Sequence, residues 1–115
     1  MSAHKDWHHL THSLSVAMNA VRRGQPAVAK GFSALASAAT APGALNRKIK
    51  ELLALAIAVA MRCEGCIGFH VKASLKAGAS REEILDVVGV AIYMGGGPSF
   101  AYGAQALEAC DQFQS

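Results

Sequence analysis

Charge is sparse in this chain, and aromatic residues are sparser still: charged side chains make up 17% of it and aromatics 6%. The longest unbroken hydrophobic run, Leu52 to Met61, is half of the roughly 20 residues a membrane-spanning helix needs, which argues against such a helix. Three cysteines are too few, and odd in number, for a secreted disulfide framework. The N-terminus carries His4, His8, His9 and His12 but no basic-then-apolar leader, so a cytoplasmic protein is expected. Acids are nearly missing from the first half. Residues 1–50 hold seven Lys or Arg against Asp6 alone, a net +6, while residues 51–115 hold four bases against seven acids, a net −3. The bases are scattered rather than clustered among aromatics, so a nucleic-acid partner is not expected. Solvated faces or complementary contact between copies fit the asymmetry better.

What is abundant is apolar surface, at 52% of residues. That composition excludes a disordered chain. With 115 residues it fits one domain, residues 1–115, with part of its surface covered by other copies.

Almost every segment reads as helix, which makes the fold class all-α with about six helices. Trp7, Leu10, Leu14, Met18 and Val21 recur at spacings of three and four, and Gly24 stops that run. Pro26 opens a second helix with Val28, Phe32, Leu35 and Ala39 on one face, ended by Pro42-Gly43. Asn46 caps a third, predicted to reach about Arg62. Its Leu53–Ala60 stretch alternates large and small like a strand, but alanine is the best helix former and no second strand exists to pair with it. The alanines suit a central helix that neighbours approach closely. Gly65 is read as lying in a short interruption before a fourth helix that runs to Gly78. Ser80-Arg81-Glu82-Glu83 is a capping box opening a fifth, and Gly95-Gly96-Gly97-Pro98 separates that from a last helix reaching about Gln112.

Cys63-Glu64-Gly65-Cys66 is the feature that carries chemistry. A CxxC pair permits a zinc half-site, a thioredoxin-type site or a redox dithiol on a helical scaffold. Zinc normally takes four ligands, and Cys63, Cys66 and His70 supply three, with Cys110 in a different helix. The thioredoxin motif needs a β-α-β context that is missing. Both sulfurs would lie at the N-terminus of the fourth helix, where unsatisfied amides and the macrodipole stabilise a thiolate. His70 is four residues after Cys66, one turn along the same face, where an imidazole can exchange a proton with a thiol.

Glu51 precedes Cys63 by twelve residues, about 18 Å along a straight helix. If the third and fourth helices form an antiparallel hairpin turning near residue 62, Glu51 lies about 17 Å from the turn and His70 about 12 Å. A carboxylate and one water could close that offset, giving the order Glu51, His70, Cys66, Cys63. Equally, Glu51 could be an exposed first-turn acid serving the helix dipole.

Several of these elements match one known family. Asn46-Arg47-Lys48-x-Lys50-Glu51-Leu52, the alanine-rich run, Arg62-Cys63-Glu64-Gly65-Cys66-x-x-x-His70, Gly78-Ala79-Ser80 and Met94-Gly95-Gly96-Gly97-Pro98 resemble the AhpD-like, or carboxymuconolactone decarboxylase, family over roughly residues 20–110. The resemblance implies an all-α domain with a central antiparallel helix hairpin carrying the CxxC. It also implies trimers or hexamers and thiol-dependent alkyl hydroperoxidase activity in antioxidant defence, with Glu51, Cys63, Cys66 and His70 catalytic and no cofactor. The expected partners are a small hydroperoxide and an external dithiol or disulfide reductant protein. Cys66, by its relation to His70, is expected to attack the peroxide and become a sulfenic acid, with Cys63 condensing with it to a disulfide, although spacing leaves the reverse assignment open. His70 and Glu51 move the proton to the leaving alkoxide.

One position departs from the family. Its best-known peroxidase has a histidine immediately before the second cysteine, where this chain has Gly65, which implies a shorter relay and weaker peroxide turnover. The cysteine pair argues against a decarboxylase. A non-catalytic, redox-sensing oligomer is the alternative.

Other features read as structural. His4, His8 and His12 form a stripe that suits a solvated face better than a metal site. The Gly95–Gly97 loop suits close packing better than anion binding. Tyr93, Phe100 and Tyr102 flank that loop, either as core or as pocket lining, and Cys110 reads as a small buried hydrophobe.

Overall fold

The computed structural model describes residues 4–115. Among them lie six helices and no strand: α1 (Trp7–Gly24), α2 (Pro26–Thr40), α3 (Arg47–Ala60), α4 (Glu64–Lys76), α5 (Arg81–Gly95) and α6 (Gly97–Gln114). Their starts follow the capping residues. The side chains of Asp6, Asn46 and Ser80 accept the backbone N–H of His9, Ile49 and Glu83, and Ser80 with Glu83 completes the capping box.

Helices α3 and α4 form an antiparallel hairpin, and the α5–α6 hairpin packs against it. Leu55, Val59, Ile67, Val71, Ile84, Ala106, Ala109 and Cys110 are fully enclosed between the two. Alanines line much of this seam, which lets the axes approach closely. At Gly95 a Cβ would collide with Ser99, whereas Gly96 and Gly97 have open space around them and Gly96 turns the chain at φ 74°. Lys48 pairs with Glu83 at 2.8 Å, tying α3 to the start of α5. That hydrogen bond, with the Ser80 amide, holds the Glu83 carboxyl below its ordinary value. Arg81 grips Asp111 through two hydrogen bonds and ties α5 to α6.

The turns are more specific than sequence pattern suggests. Helix α3 stops at Ala60, two residues before the expected end. Arg62 adopts φ 59°, its N–H donates to Val59 O, and the Cys63 N–H reaches back to Ala58 O. This is a Schellman closure with arginine where glycine is usual. Gly78, at φ 98°, closes α4 in the same way through Ser74 O and Leu75 O.

Helix α1 lies across α4 and α6, burying Trp7 and Thr11 completely or nearly so. Helix α2 buries no residue, and Val28, Phe32 and Leu35 are each more than 60% exposed. The apolar face read from its periodicity is real, but it does not enter this chain's core. The Cα radius of gyration, 14.4 Å, exceeds the ~13 Å expected for a chain of this length, consistent with a helix held away from the core.

Candidate active site

The hairpin turn sets the dithiol. Cys63 ends the Schellman closure of α3 and at once becomes the N-cap of α4, its Sγ accepting the Cys66 N–H at 3.3 Å. Cys66 sits three residues on, in the first turn. The two are joined as a disulfide with Cα atoms 5.2 Å apart. In the reduced state the same amide and the helix N-terminus would stabilise a thiolate.

Gly65 does not interrupt the helix. It lies in the first turn of α4, and α1 occupies the space a side chain would need: a Cβ there would fall 2.5 Å from Leu14 Cδ2. One turn on, a Cβ at Gly68 would fall 2.7 Å from Thr11 Cγ2 and 3.2 Å from Trp7 Cε3. A side chain at position 65 would have to displace the end of Leu14, which packs where the histidine would stand.

On the opposite face of α4, His70 meets α3. Its Nδ1 lies 3.0 Å from Glu51 Oε2, so the pair is bonded directly and needs no bridging water. Glu51 is 6% exposed, which removes the reading of it as a solvated first-turn acid. A carboxylate can only accept, so the proton sits on Nδ1 and Nε2 is the nitrogen left to accept another.

His70, Cys63 and Cys66 line one cavity of about 320 Å3, otherwise walled by Ala54, Ile57, Ala58 and Met61. Glu51 instead lines a second cavity of about 440 Å3 with Arg47, Ala73, Lys76 and Ala77. The His70–Glu51 bond thus links an apolar chamber over the sulfurs to a basic basin further along the same groove between α3 and α4, away from the turn. All four residues singled out from spacing converge here.

Other expectations fall elsewhere. Tyr93 and Phe100 are largely exposed and do not line the chamber, while Tyr102 packs on the core. His4 and His8 face α6: His4 approaches Glu108, and His8 pairs with Gln112 O and stacks edge-on against Phe113. Among the described residues no three His, Cys, Asp or Glu side chains converge as metal ligands would. Cys110 is enclosed, and burial pushes its thiol pKa up.

Residues without any motif also frame the site. The Glu108 carboxylate accepts from Trp7 Nε1 at 2.8 Å and from the amides of His4 and Lys5. Burial alone would raise its pKa, but these donors outweigh burial and hold it below the ordinary value. Lys5 Nζ contacts Glu64, within the CxxC itself, and Gln105. Long-range pairing of this kind leaves no local signal in sequence.

Fold and site together define an all-helical domain with a CxxC at the head of one hairpin helix and a His–Glu pair behind it. The model of the carboxymuconolactone decarboxylase family matches residues 26–109. A carboxymuconolactone decarboxylase family protein from Legionella pneumophila, solved in its apo form, is 49% identical. The match covers 95% of this chain and 97% of that one, with a TM-score of 0.91. An uncharacterised protein of Cupriavidus necator is 40% identical over 88 residues, 76% of this chain and 78% of its own. A Thermotoga maritima family member, for which a role in the antioxidative response has been suggested, is 32% identical with a TM-score of 0.71. That match covers 75% of this chain and 89% of that one. The chain belongs to the carboxymuconolactone decarboxylase family.

Proposed function

We propose that this protein is a thiol-dependent peroxidase, reducing a small hydroperoxide with the Cys63/Cys66 dithiol and drawing electrons from an external dithiol or disulfide reductant protein. The observation that carries this reading is the bond from His70 to the buried Glu51, with His70 opening on the apolar chamber that holds both sulfurs. The antioxidative role suggested for the Thermotoga maritima relative supports it.

The Cys66 thiolate attacks the distal peroxide oxygen. The O–O bond breaks, Cys66 becomes a sulfenic acid, and the leaving alkoxide takes a proton relayed by His70. Cys63 displaces water from that sulfenic acid, forming the disulfide. The external dithiol then exchanges with it and is itself oxidised. Glu51 holds the imidazole in one tautomer and steadies its cationic form, and the Arg47/Lys76 basin supplies solvent protons behind it. The chamber walls are uncharged and favour an alkyl group over a charged substrate.

Thiol titration of the reduced protein tests this. One equivalent of an alkyl hydroperoxide should consume two thiols per chain, and added dithiol should restore them. In Cys63→Ser a sulfenic acid should accumulate at Cys66. Turnover by the double Cys→Ser variant, or thiols unaffected by hydroperoxide, would overturn the proposal and leave a redox-silent binding protein.

Copies of the same chain are the proposed cover for the open apolar stripes on α2 (Val28, Phe32, Leu35) and α3 (Leu53, Ile57, Met61), as a trimer or hexamer. The basic first half and acidic second half suit such contact. Light scattering should give a multiple of 12.0 kDa for the native protein and the monomer mass for Phe32→Glu/Leu35→Glu. A native monomer would refute the assignment.

A further inference from the structure

We propose that Lys5 is a positioning residue that sets the charge at the head of the dithiol helix by neutralising Glu64. The inference rests on the reading of Cys63–Cys66 as a working redox couple.

Glu64 is the first residue of α4 and lies between the two cysteines of the motif. A carboxylate there interacts well with the helix dipole but opposes the thiolate that the same dipole would stabilise. In this chain Glu64 is ion-paired with Lys5 Nζ. Lys5 is no loose surface lysine. Its Nζ also donates to Gln105 Oε1 at 2.6 Å and sits 5.6 Å from the Trp7 ring. Its amide donates to Glu108 Oε1 at 3.0 Å and its carbonyl accepts from Gln112 Nε2 at 2.6 Å. Backbone and side chain are both fixed, so the ammonium is delivered to one place at little entropic cost.

Helix α1, which begins two residues after Lys5, supplies Leu14 against Gly65 and Thr11 against Gly68. Positions 64, 65 and 68 form the face of α4 that receives α1, and positions 63, 66 and 70 form the face that meets the chamber. The family model matches residues 26–109 and so does not reach Lys5 or α1. The charge control is thus supplied from outside the matched region, on the side where the missing histidine would have stood.

Removing Lys5 leaves Glu64 uncompensated, disfavours the thiolate of the reduced form and shifts the couple toward the disulfide. The test equilibrates the full chain with glutathione mixtures at low ionic strength: disulfide plus two glutathione thiols gives dithiol plus glutathione disulfide. Thiolate absorbance is followed against pH in parallel. For Lys5→Met, the disulfide should be favoured about three- to fivefold, roughly 15–20 mV more reducing for a two-electron couple. The thiolate fraction below the thiol pKa should fall by a similar factor. Lys5→Arg should behave as wild type, Glu64→Gln should shift the couple the opposite way, and Lys5→Met/Glu64→Gln should return close to wild type. Trp7 fluorescence confirms that α1 stays docked in each variant.

A measurable wild-type couple that Lys5→Met leaves unmoved overturns the proposal. So does a double variant that stays as displaced as Lys5→Met, because Lys5 would then act through packing rather than through Glu64. A wild-type disulfide that glutathione does not interconvert overturns the redox reading itself, and this inference with it.

Discussion

Replacing Gly68 with alanine tests whether α1 truly sits on the dithiol helix. Gly68 is a mid-helix residue, where alanine normally stabilises by about 1 kcal/mol. Here the added methyl would meet Thr11 Cγ2 at 2.7 Å and Trp7 Cε3 at 3.2 Å. Thr11 and Trp7 are 3% and 0% exposed, so neither can swing into solvent. Overpacking of this kind costs about 1–3 kcal/mol. The steric term wins, and a net loss of about 1 kcal/mol is expected. Urea unfolding followed by the fluorescence of Trp7, the single tryptophan, should show the midpoint falling by about 0.5 M. The compensating change is Thr11→Ser, which deletes Cγ2 yet keeps the hydroxyl bonds to Trp7 O and His8 O. In that background Gly68→Ala should no longer destabilise, a coupling of about 1 kcal/mol. Gly65→Ala meets only the end of the half-buried Leu14 and should come out near neutral. A Gly68→Ala single variant about 1 kcal/mol more stable than wild type would refute the α1–α4 packing.

Three further outcomes follow from the geometry. Glu51→Gln keeps the shape of the His70 partner but not its charge, and should lower hydroperoxide turnover about 100-fold with the thermal midpoint little changed; unchanged turnover would remove Glu51 from the relay. Glu108→Gln should cost about 2 kcal/mol at neutral pH, because its carboxylate accepts from the Trp7 ring and two amides. The folded pKa of Glu108 lies below its ordinary 4.5, so its contribution is complete above that value and lost as pH falls through the folded one. Wild type and variant should therefore converge in urea midpoint on acidification, and a constant gap would contradict the assignment. At the hairpin turn, Arg62→Gly should stabilise by about 0.5–1 kcal/mol and Arg62→Val destabilise by about 1–2 kcal/mol, since a β-branched residue resists φ 59°. Equal midpoints for the two would mean that Arg62 is not left-handed in solution.

Much of this protein was legible before folding was considered. Asn46, Ser80 and Gly78 mark helix ends through bonds made within a turn of chain, so local sequence is enough to place them. The CxxC and the four-residue step to His70 share one helix, and a fixed rise per residue converts that spacing directly into position. Helix α2 was legible too, but not the fate of its apolar face, because periodicity reports which side is apolar and not what covers it. The turn at Arg62 escaped because arginine carries no left-handed signal; the Schellman bonds that hold it there depend on how two helices meet.

The sequence by itself determined an all-helical chain, the hairpin that carries the dithiol, and a histidine one turn from the second cysteine. Tertiary structure decided that Glu51 bonds His70 directly, since the offset of two helices depends on how their side chains interdigitate. It also decided that Gly65 stands where Leu14 packs, and that Lys5 reaches Glu64 across 59 residues of chain. The dithiol was visible as a motif because its parts are neighbours in sequence. The charge that faces it was not, because Lys5 and Glu64 are distant in sequence and meet only in the packed fold.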